Sequence, residues 1–366
     1  MLENVVVTGG GTGGHVYTGI AILDEVRRRN PRARTVFLGS DGGYETRIVP
    51  RTEHEAAAIG ARALRLNGAR GAVRALAKVP RAVLEARAIL ARLRPEVVLG
   101  VGGPASGPSL VAARLLGLPS ALHEQNAVPG LSNRLAGSFV SHVLVGLPQV
   151  RGRFVSRSDV VLTGNPVRAE LLPLHDADRA APGPVVRVLA LGGSDGCAFM
   201  NERVPAVIAQ AAAMTGRTVS VVHQCGTGNK TDTIRVYRAL GVNAEVTRFM
   251  DDMTGVYREA DLAITLAGAG TLGELSLAGT PTLVVPLATA ADDHQRENAW
   301  HFARHGAIRL VDQNEWRDDA VAHELARMIA DDDYRATLSA RFRSLARPDA
   351  AAAIVDELER IARDRG

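Results

Sequence analysis

Aromatic side chains are scarce in this 366-residue chain, at 4% of the total. No strip of interleaved basic and aromatic residues is therefore available to stack on bases. Charge of one sign is also in short supply. Forty-three Lys and Arg against 39 Asp and Glu leave a formal +4, which argues for no nucleic-acid partner but permits attraction to anionic phosphates or lipid headgroups. Cysteine is limited to Cys197 and Cys225. Neither sits in a CxxC, and two thiols build no disulfide framework, so both read as reduced core residues of a cytosolic protein. The start of the chain shows no basic n-region and no cleavage site before Val5–Thr8, so no secretory signal is expected. The longest weakly charged stretch, Leu262–Ala291, is interrupted by Glu274, Pro281, Pro286 and several glycines. A membrane span needs about 20 unbroken apolar residues, so this stretch reads as core, and the protein is expected to be soluble, at most resting on a membrane.

What is plentiful is glycine, 37 residues, set in clusters within a chain that is 46% hydrophobic and 22% charged. Short apolar β-branched runs alternate with helical patterns: Val5–Thr8, Thr35–Leu38, Val97–Gly100, His142–Val145, Val185–Leu191, Thr218–His223, Ala263–Leu266 and Thr282–Val285, with helix-like stretches at Ile20–Arg29, Val73–Leu93 and Arg203–Ala213. Apolar strands separated by helices predict an α/β fold with parallel sheets covered on both faces. The pattern restarts at Val185, after Asn165-Pro166 and the Pro/Gly-rich Ala181–Pro184. Two doubly wound, Rossmann-like domains facing a cleft are expected, at 1–165 and 166–345. The sequence leaves open whether the terminal helix, about 346–366, packs back on the first.

Four glycine loops follow strands: Gly9-Gly10-Gly11-Thr12-Gly13-Gly14-His15, Gly102-Gly103-Pro104-Ala105-Ser106-Gly107, Gly192-Gly193-Ser194-Asp195-Gly196 and Gly268-Ala269-Gly270-Thr271. A strand, a bare backbone and a helix start place N–H groups and the positive end of a helix dipole at one point, which suits a phosphate. The first loop also satisfies G-x-G-x-x-G, but the acidic residue a dinucleotide site needs is late and loosely placed at Asp41. Tight turns account for some of these loops; four across both domains fit a diphosphate per domain at the strand C-termini.

With those residues laid out, the chain resembles the MurG family of UDP-N-acetylglucosamine transferases, which make lipid II from lipid I in peptidoglycan synthesis. The likeness covers about residues 5 to 362. It rests on Gly10-Gly11-Thr12-Gly13-Gly14-His15-Val16, His123-Glu124-Gln125-Asn126, Gly164-Asn165-Pro166-Val167-Arg168, Gly192-Gly193-Ser194, Phe249-Met250-Asp251-Asp252-Met253, Ala269-Gly270-Thr271-Leu272-Gly273-Glu274 and Asp293-His294-Gln295 with Asn298-Ala299. It implies a GT-B fold, inverting transfer without metal or other cofactor, UDP-GlcNAc as donor, a lipid-pyrophosphate acceptor (lipid I), and a peripheral place at the cytoplasmic face of the cell membrane. Glu274 would accept from the ribose hydroxyls, the Met250 backbone would read uracil, and Arg168 and Ser194 would touch the nucleotide. Ser194 would meet the phosphate, the Ala269–Gly270 turn and Gln295 would hold the GlcNAc hydroxyls, Thr271 would be a further donor contact, and Asn126 would face the same site. Thr12, Gly13, Gly14 and Ser106 would cradle the acceptor diphosphate.

Inverting transfer needs a base for the acceptor 4-hydroxyl and positive potential for the departing diphosphate. His15, at the first turn after the phosphate loop, is one candidate base and Glu124 the other, each with a binding or structural reading beside it. Asp176-Ala177-Asp178 has the letters of a metal motif but lies in a polar loop. His301 and His305 share a helix face without a third ligand, and Cys225 reads as a strand-end residue. The segment Arg70–Leu84 interleaves Val73, Leu76, Val79 and Val83 with Arg70, Arg74, Lys78 and Arg81, a surface suited to anionic lipid or an ordinary amphipathic helix. The chain departs from the family at Thr18, Pro104, Asp195, Leu266 and Ala267, which keeps a related UDP-sugar transferase with another acceptor as the alternative.

Overall fold

A computed structural model describes residues 1–61, 79–154, 159–179, 181, 183–193, 195–228 and 230–364. The chain divides into two compact units, Met1–Ala169 with Arg347–Gly366, and Glu170–Ala346. Ser194 and the Arg70–Lys78 part of the basic-apolar segment lie outside the described residues.

The first unit is built on seven strands: β1 (Asn4–Thr8), β2 (Arg34–Ser40), β3 (Glu55–Ile59), β4 (Val97–Gly100), β5 (Ser120–Glu124), β6 (His142–Val145) and β7 (Asp159–Leu162). They pair in the order β3-β2-β1-β4-β5-β6-β7, all parallel. The runs VVVT in β1 and VVLG in β4 are buried throughout, as strands covered by helices on both faces require. The helices include α1 (Gly13–Arg29), the short α2 (Glu45–Ile48), α3 (Val79–Leu93), α4 (Ser106–Leu115) and α5 (Leu131–Ala136). The last helix of the chain, Ala350–Arg363, also belongs here. Its Ile354, Val355, Leu358 and Ile361 fall on one helical stripe and join the core of Val5, Val7, Ile22 and Leu99. Arg29 ties α1 to it through Asp356 at 2.5 Å and Glu359 at 3.5 Å.

The second unit repeats the plan with six parallel strands, β8 (Val185–Leu191), β9 (Thr218–Gln224), β10 (Asn243–Thr247), β11 (Leu262–Thr265), β12 (Thr282–Val284) and β13 (Arg309–Leu310). Their order is β10-β9-β8-β11-β12-β13. The alternation of strand and helix thus forms two doubly wound sheets. In each, the strand order reverses direction beside the first strand, between β1 and β4 and between β8 and β11. Ligands of open α/β sheets sit at such switch points, beyond the strand C-termini. All four glycine loops leave the sheet there, following Thr8, Gly100, Leu191 and Thr265.

The described part of the basic-apolar segment corrects one expectation. Val83 is buried with Ala82 on the inner face of α3, so it does not contribute to an exposed apolar patch. Leu84 does, at 63% exposure, while Arg81 pairs with Glu85 at 2.9 Å.

Candidate active site

In the first unit, the two glycine loops interlock. Gly10 N–H donates to the Gly102 carbonyl at 3.2 Å. A Cβ on Gly9 would sit 2.6 Å from the Gly102 oxygen, and one on Gly103 would sit 2.0 Å from the Gly10 oxygen. Gly10, Gly11, Gly102 and Gly103 also take φ values of 126°, 82°, 89° and 86°, a region open mainly to glycine. These glycines are demanded by the protein itself. Thr12 then turns extended and α1 begins at Gly13, so the first-turn amides around Gly13 and Gly14 lack intrahelical partners. A Cβ at Gly14 would meet nothing nearer than the Thr12 hydroxyl at 4.0 Å, so an anion can approach these amides.

His15 is half-buried on this first turn. Its Nδ1 lies 3.0 Å from the Gly10 carbonyl and 3.1 Å from Thr12 Oγ1. A carbonyl only accepts, so Nδ1 carries the proton, and in the neutral ring Nε2 is the basic nitrogen. Nε2 lies at Gly102, where a Cβ would be 2.9 Å away.

Glu124, 1% exposed at the end of β5, is wrapped in amides. It accepts from Asn126 N at 2.9 Å, Asn126 Nδ2 at 3.2 Å and Asn133 Nδ2 at 2.7 Å. Burial raises its pKa despite those bonds. Through these contacts Glu124 fixes the loop that carries Asn126. Its neighbour His123 is fully buried, bonded to the Gly164 carbonyl at 3.0 Å and to Gln125 Nε2 at 3.1 Å. Burial lowers its pKa to about 4, with the nearby His15 adding to the effect, so it is neutral. The Ser106 hydroxyl is buried, has no partner among the described residues, and lies 2.5 Å from where a Gly100 Cβ would be. The Arg168 guanidinium sits 4.9 Å from the Tyr17 ring centroid. Asn126 and Arg168 both belong to the first unit; the other donor-site candidates belong to the second.

In the second unit, Gly268 is the N-cap of a helix over Ala269–Ala278, and Glu274 stands in its second turn. The first-turn amides of Ala269, Gly270 and Thr271 lack intrahelical partners there. Glu274 Oε2 accepts from the Tyr257 hydroxyl at 2.8 Å, and Tyr257 is itself 1% exposed on the helix Met253–Glu259. Gln295 Oε1 accepts from both Ala267 N at 3.1 Å and Leu287 N at 3.0 Å. Its amide is thereby oriented with the NH2 group turned away from those loops. Asn298 holds the same turn through the Ala267 carbonyl at 3.0 Å. Asp292 and Asp293, both left-handed at φ 51° and 53°, lead the chain into the Gln295 helix. Met250 is buried, in a turn braced by Thr247 Oγ1 donating to the Phe249 carbonyl at 2.7 Å. Leu266 is buried, with Cδ1 3.7 Å from where a Gly193 Cβ would be.

Beneath the Gly192 loop lies a buried chain of Tyr237, His223, Asn201 and the Cys225 carbonyl, with contacts of 2.9, 3.1 and 3.2 Å. Burial lowers the His223 pKa to about 4 and raises that of Tyr237. His301 and His305 stack edge-on at 5.5 Å, with His305 Nδ1 bonded to the His301 carbonyl. Among the described residues no cluster of three or more His, Cys, Asp or Glu is arranged to hold a metal ion, and no helix is long and apolar enough to cross a membrane. Sequence reasoning missed Tyr257, Asn133 and Glu45; the last is a buried carboxylate under the first loop whose two flanking glycines, Gly39 and Gly43, were the only signal.

Comparison with known proteins bears on the whole chain. The N-terminal and C-terminal domain models of glycosyltransferase family 28 match residues 5–145 and 187–354. A protein of Aeromonas hydrophila named UDP-N-acetylglucosamine--N-acetylmuramyl-(pentapeptide) pyrophosphoryl-undecaprenol N-acetylglucosamine transferase is 37% identical over 362 residues, covering 99% of this chain and 98% of that protein. One of the same name from Trichlorobacter lovleyi is 34% identical, over 97% of each. Among solved structures, Acinetobacter baumannii MurG matches with a TM-score of 0.78 at 28% identity, over 98% of this chain and 99% of that one. UDP-GlcNAc 2-epimerase from Neisseria meningitidis reaches 0.69 at 13% identity, a likeness of fold alone. The two doubly wound units therefore form a GT-B fold.

Proposed function

The chain belongs to the MurG branch of glycosyltransferase family 28, and on that premise we propose that it transfers N-acetylglucosamine from UDP-GlcNAc to the 4-hydroxyl of the lipid-pyrophosphate-linked N-acetylmuramyl-pentapeptide, inverting the anomeric centre. The acceptor oxygen forms a bond to C1 of the donor as the bond from C1 to the diphosphate oxygen breaks. The hydroxyl proton passes to His15 Nε2, the nitrogen made basic by the Nδ1–Gly10 bond. First-turn amides without intrahelical partners in each unit suit the two diphosphates: Thr12–Gly14 for the acceptor, Ala269–Thr271 for the leaving UDP. Glu274 takes the ribose hydroxyls, Gln295 donates to a sugar oxygen, and Ser194 completes the donor contacts. Exposed Leu84 and Leu115, at 63% each, support a peripheral seat on a membrane surface, which this reading places at the cytoplasmic face.

The observation that carries this reading is the 37% identity running across 99% of the chain to a transferase of that name. The test offers the purified protein UDP-GlcNAc and a lipid I analogue in the presence of EDTA. Formation of the GlcNAc-extended product supports the reading. UDP-GlcNAc binding without transfer favours the alternative acceptor, for which Pro104 speaks: it packs in the acceptor loop, its Cδ 2.9 Å from where a Gly11 Cβ would be. Failure to bind UDP-GlcNAc overturns both.

A further inference from the structure

The first glycine loop is built around a side chain that the transferase reading does not use. Glu45, the first residue of α2, is 3% exposed. Its Oε1 accepts from Ser40 N and Ser40 Oγ, each at 2.6 Å, and its Oε2 accepts from Gly11 N at 3.0 Å. Three glycines give way to it. A Cβ on Gly10, Gly39 or Gly43 would fall 2.3 to 2.4 Å from a Glu45 side-chain atom. The buried carboxylate is held by amide and hydroxyl donors on β2 and on the loop. It also takes the Gly11 amide that an acceptor phosphate would otherwise meet. The Gly10 carbonyl, the other end of that same peptide group, is the acceptor that keeps the His15 proton on Nδ1.

We propose that Glu45 is a positioning residue for the transfer reaction: its carboxylate clamps the Gly10–Gly11 backbone, so that the Gly10 carbonyl points His15 Nε2 at the acceptor and the phosphate is directed to the amides beyond Thr12. The relay runs from Glu45 to the loop to the ring, and Glu45 itself touches no substrate. A misplacement of about 1 Å in such a base costs on the order of a hundredfold in rate, so the clamp controls turnover while leaving the UDP site, which lies in the second unit, alone.

The kinetic arm rests on the proposed transferase activity; a spectroscopic arm does not. Glu45→Ala should lower kcat about tenfold or more, with the KM for UDP-GlcNAc within about twofold of wild type, and Glu45→Gln, which keeps the shape and one acceptor, should recover part of the loss. In protein with 15N-labelled histidine, assigned with His15→Ala, wild type should show neutral His15 protonated at Nδ1, and Glu45→Ala should show a mixture of tautomers. Wild-type turnover in Glu45→Ala, or an unaltered Nδ1–H signature, overturns the proposal. Should Glu45→Ala not fold, Glu45→Asp, which still reaches Ser40 but withdraws from Gly11, carries both measurements, and the same two results overturn the proposal. If the wild-type protein transfers no sugar, the function assigned above fails, and the tautomer measurement alone decides on Glu45.

Discussion

The interlocked loops of the first unit and the Gly268–Thr271 loop of the second use glycine in opposite ways. In the first, Gly9, Gly10, Gly11, Gly102 and Gly103 are crowded by protein: a Cβ on any of them would meet another atom at 2.0 to 2.9 Å. Their absence of a side chain lets two loops and the Glu45 carboxylate share one volume. In the second, a Cβ on Gly270 would have nothing within 4 Å, and one on Gly268 would meet only the Thr271 hydroxyl at 3.6 Å. Here the empty space is outside the protein, at a helix N-terminus. A glycine that packing demands is explained by the fold; a glycine facing open space at such a terminus marks where a ligand's atoms go. By this criterion Gly14 in the first unit belongs with Gly270, and Gly103 does not.

The largest effect that tests this contrast is on stability. Gly103→Ala places a methyl 2.0 Å from the Gly10 oxygen at φ 86°, and should cost about 3 kcal/mol or more. Urea unfolding followed by hydrogen exchange in the first unit measures it; a loss under about 1 kcal/mol would dissolve the distinction between crowded and open glycines. Acid should loosen both units. His123 and His223, one in each unit, have pKa values lowered from 6.5 to about 4 by burial. Between those values the unfolded chain binds a proton that the native state refuses, so stability present above pH 6.5 drains as pH falls towards 4, by roughly 3 kcal/mol per histidine. Glu124 in the first unit works the other way: its raised pKa means that the native state holds a proton more readily than the unfolded chain, which offsets part of the loss. The first unit also carries His142, whose pKa burial lowers, so hydrogen exchange at pH 7 and pH 4.5 should show both units loosening in acid. Unchanged protection in either unit would mean that its buried histidine takes up the proton without cost.

How much of this was legible beforehand depends on where a residue's partners lie. Apolar central strands such as Val97–Gly100 and Val185–Leu191 declare themselves, because their runs are dominated by Val and Leu, with Arg187 the one charged interruption. β3, β7, β10 and β13 did not, since all four are sheet edges, with half-exposed, polar-sprinkled sequences such as EAAAI and NAEVT. β5 is central and wholly buried yet reads Ser-Ala-Leu-His-Glu; its polar residues are satisfied by Gly164, Gln125, Asn126 and Asn133, contacts no local pattern announces. The glycine loops were visible as loops. That Glu45 sits inside one of them, 34 residues from Gly11, was not, and neither was the burial of the Ser106 hydroxyl. A motif shows which residues gather at a site, while burial decides which of them can face a ligand.

A smaller effect is expected at the Glu274 carboxylate. Tyr257→Phe removes the 2.8 Å bond that holds Oε2 and leaves the rest of the ring to fill its buried site. The loss of one such bond is worth about 1 kcal/mol, or about fivefold in the KM for UDP-GlcNAc with kcat little changed. An equal fall in kcat at constant KM would instead assign Glu274 to the transition state. The smallest effect, and the sharpest for the comparison, is Gly270→Ala. This glycine lies in the first turn of the Ala269–Ala278 helix with a negative φ and open space beyond it. Alanine is the better helix former, by up to about 1 kcal/mol, so the variant should melt at or slightly above the wild-type temperature. Its methyl nonetheless projects into the space assigned to the donor, so UDP-GlcNAc should bind more weakly and give a smaller thermal shift. Stability and binding moving in opposite directions at one methyl group is a result that neither a purely structural glycine nor an unoccupied helix terminus can produce, and unchanged binding would move the donor away from this helix.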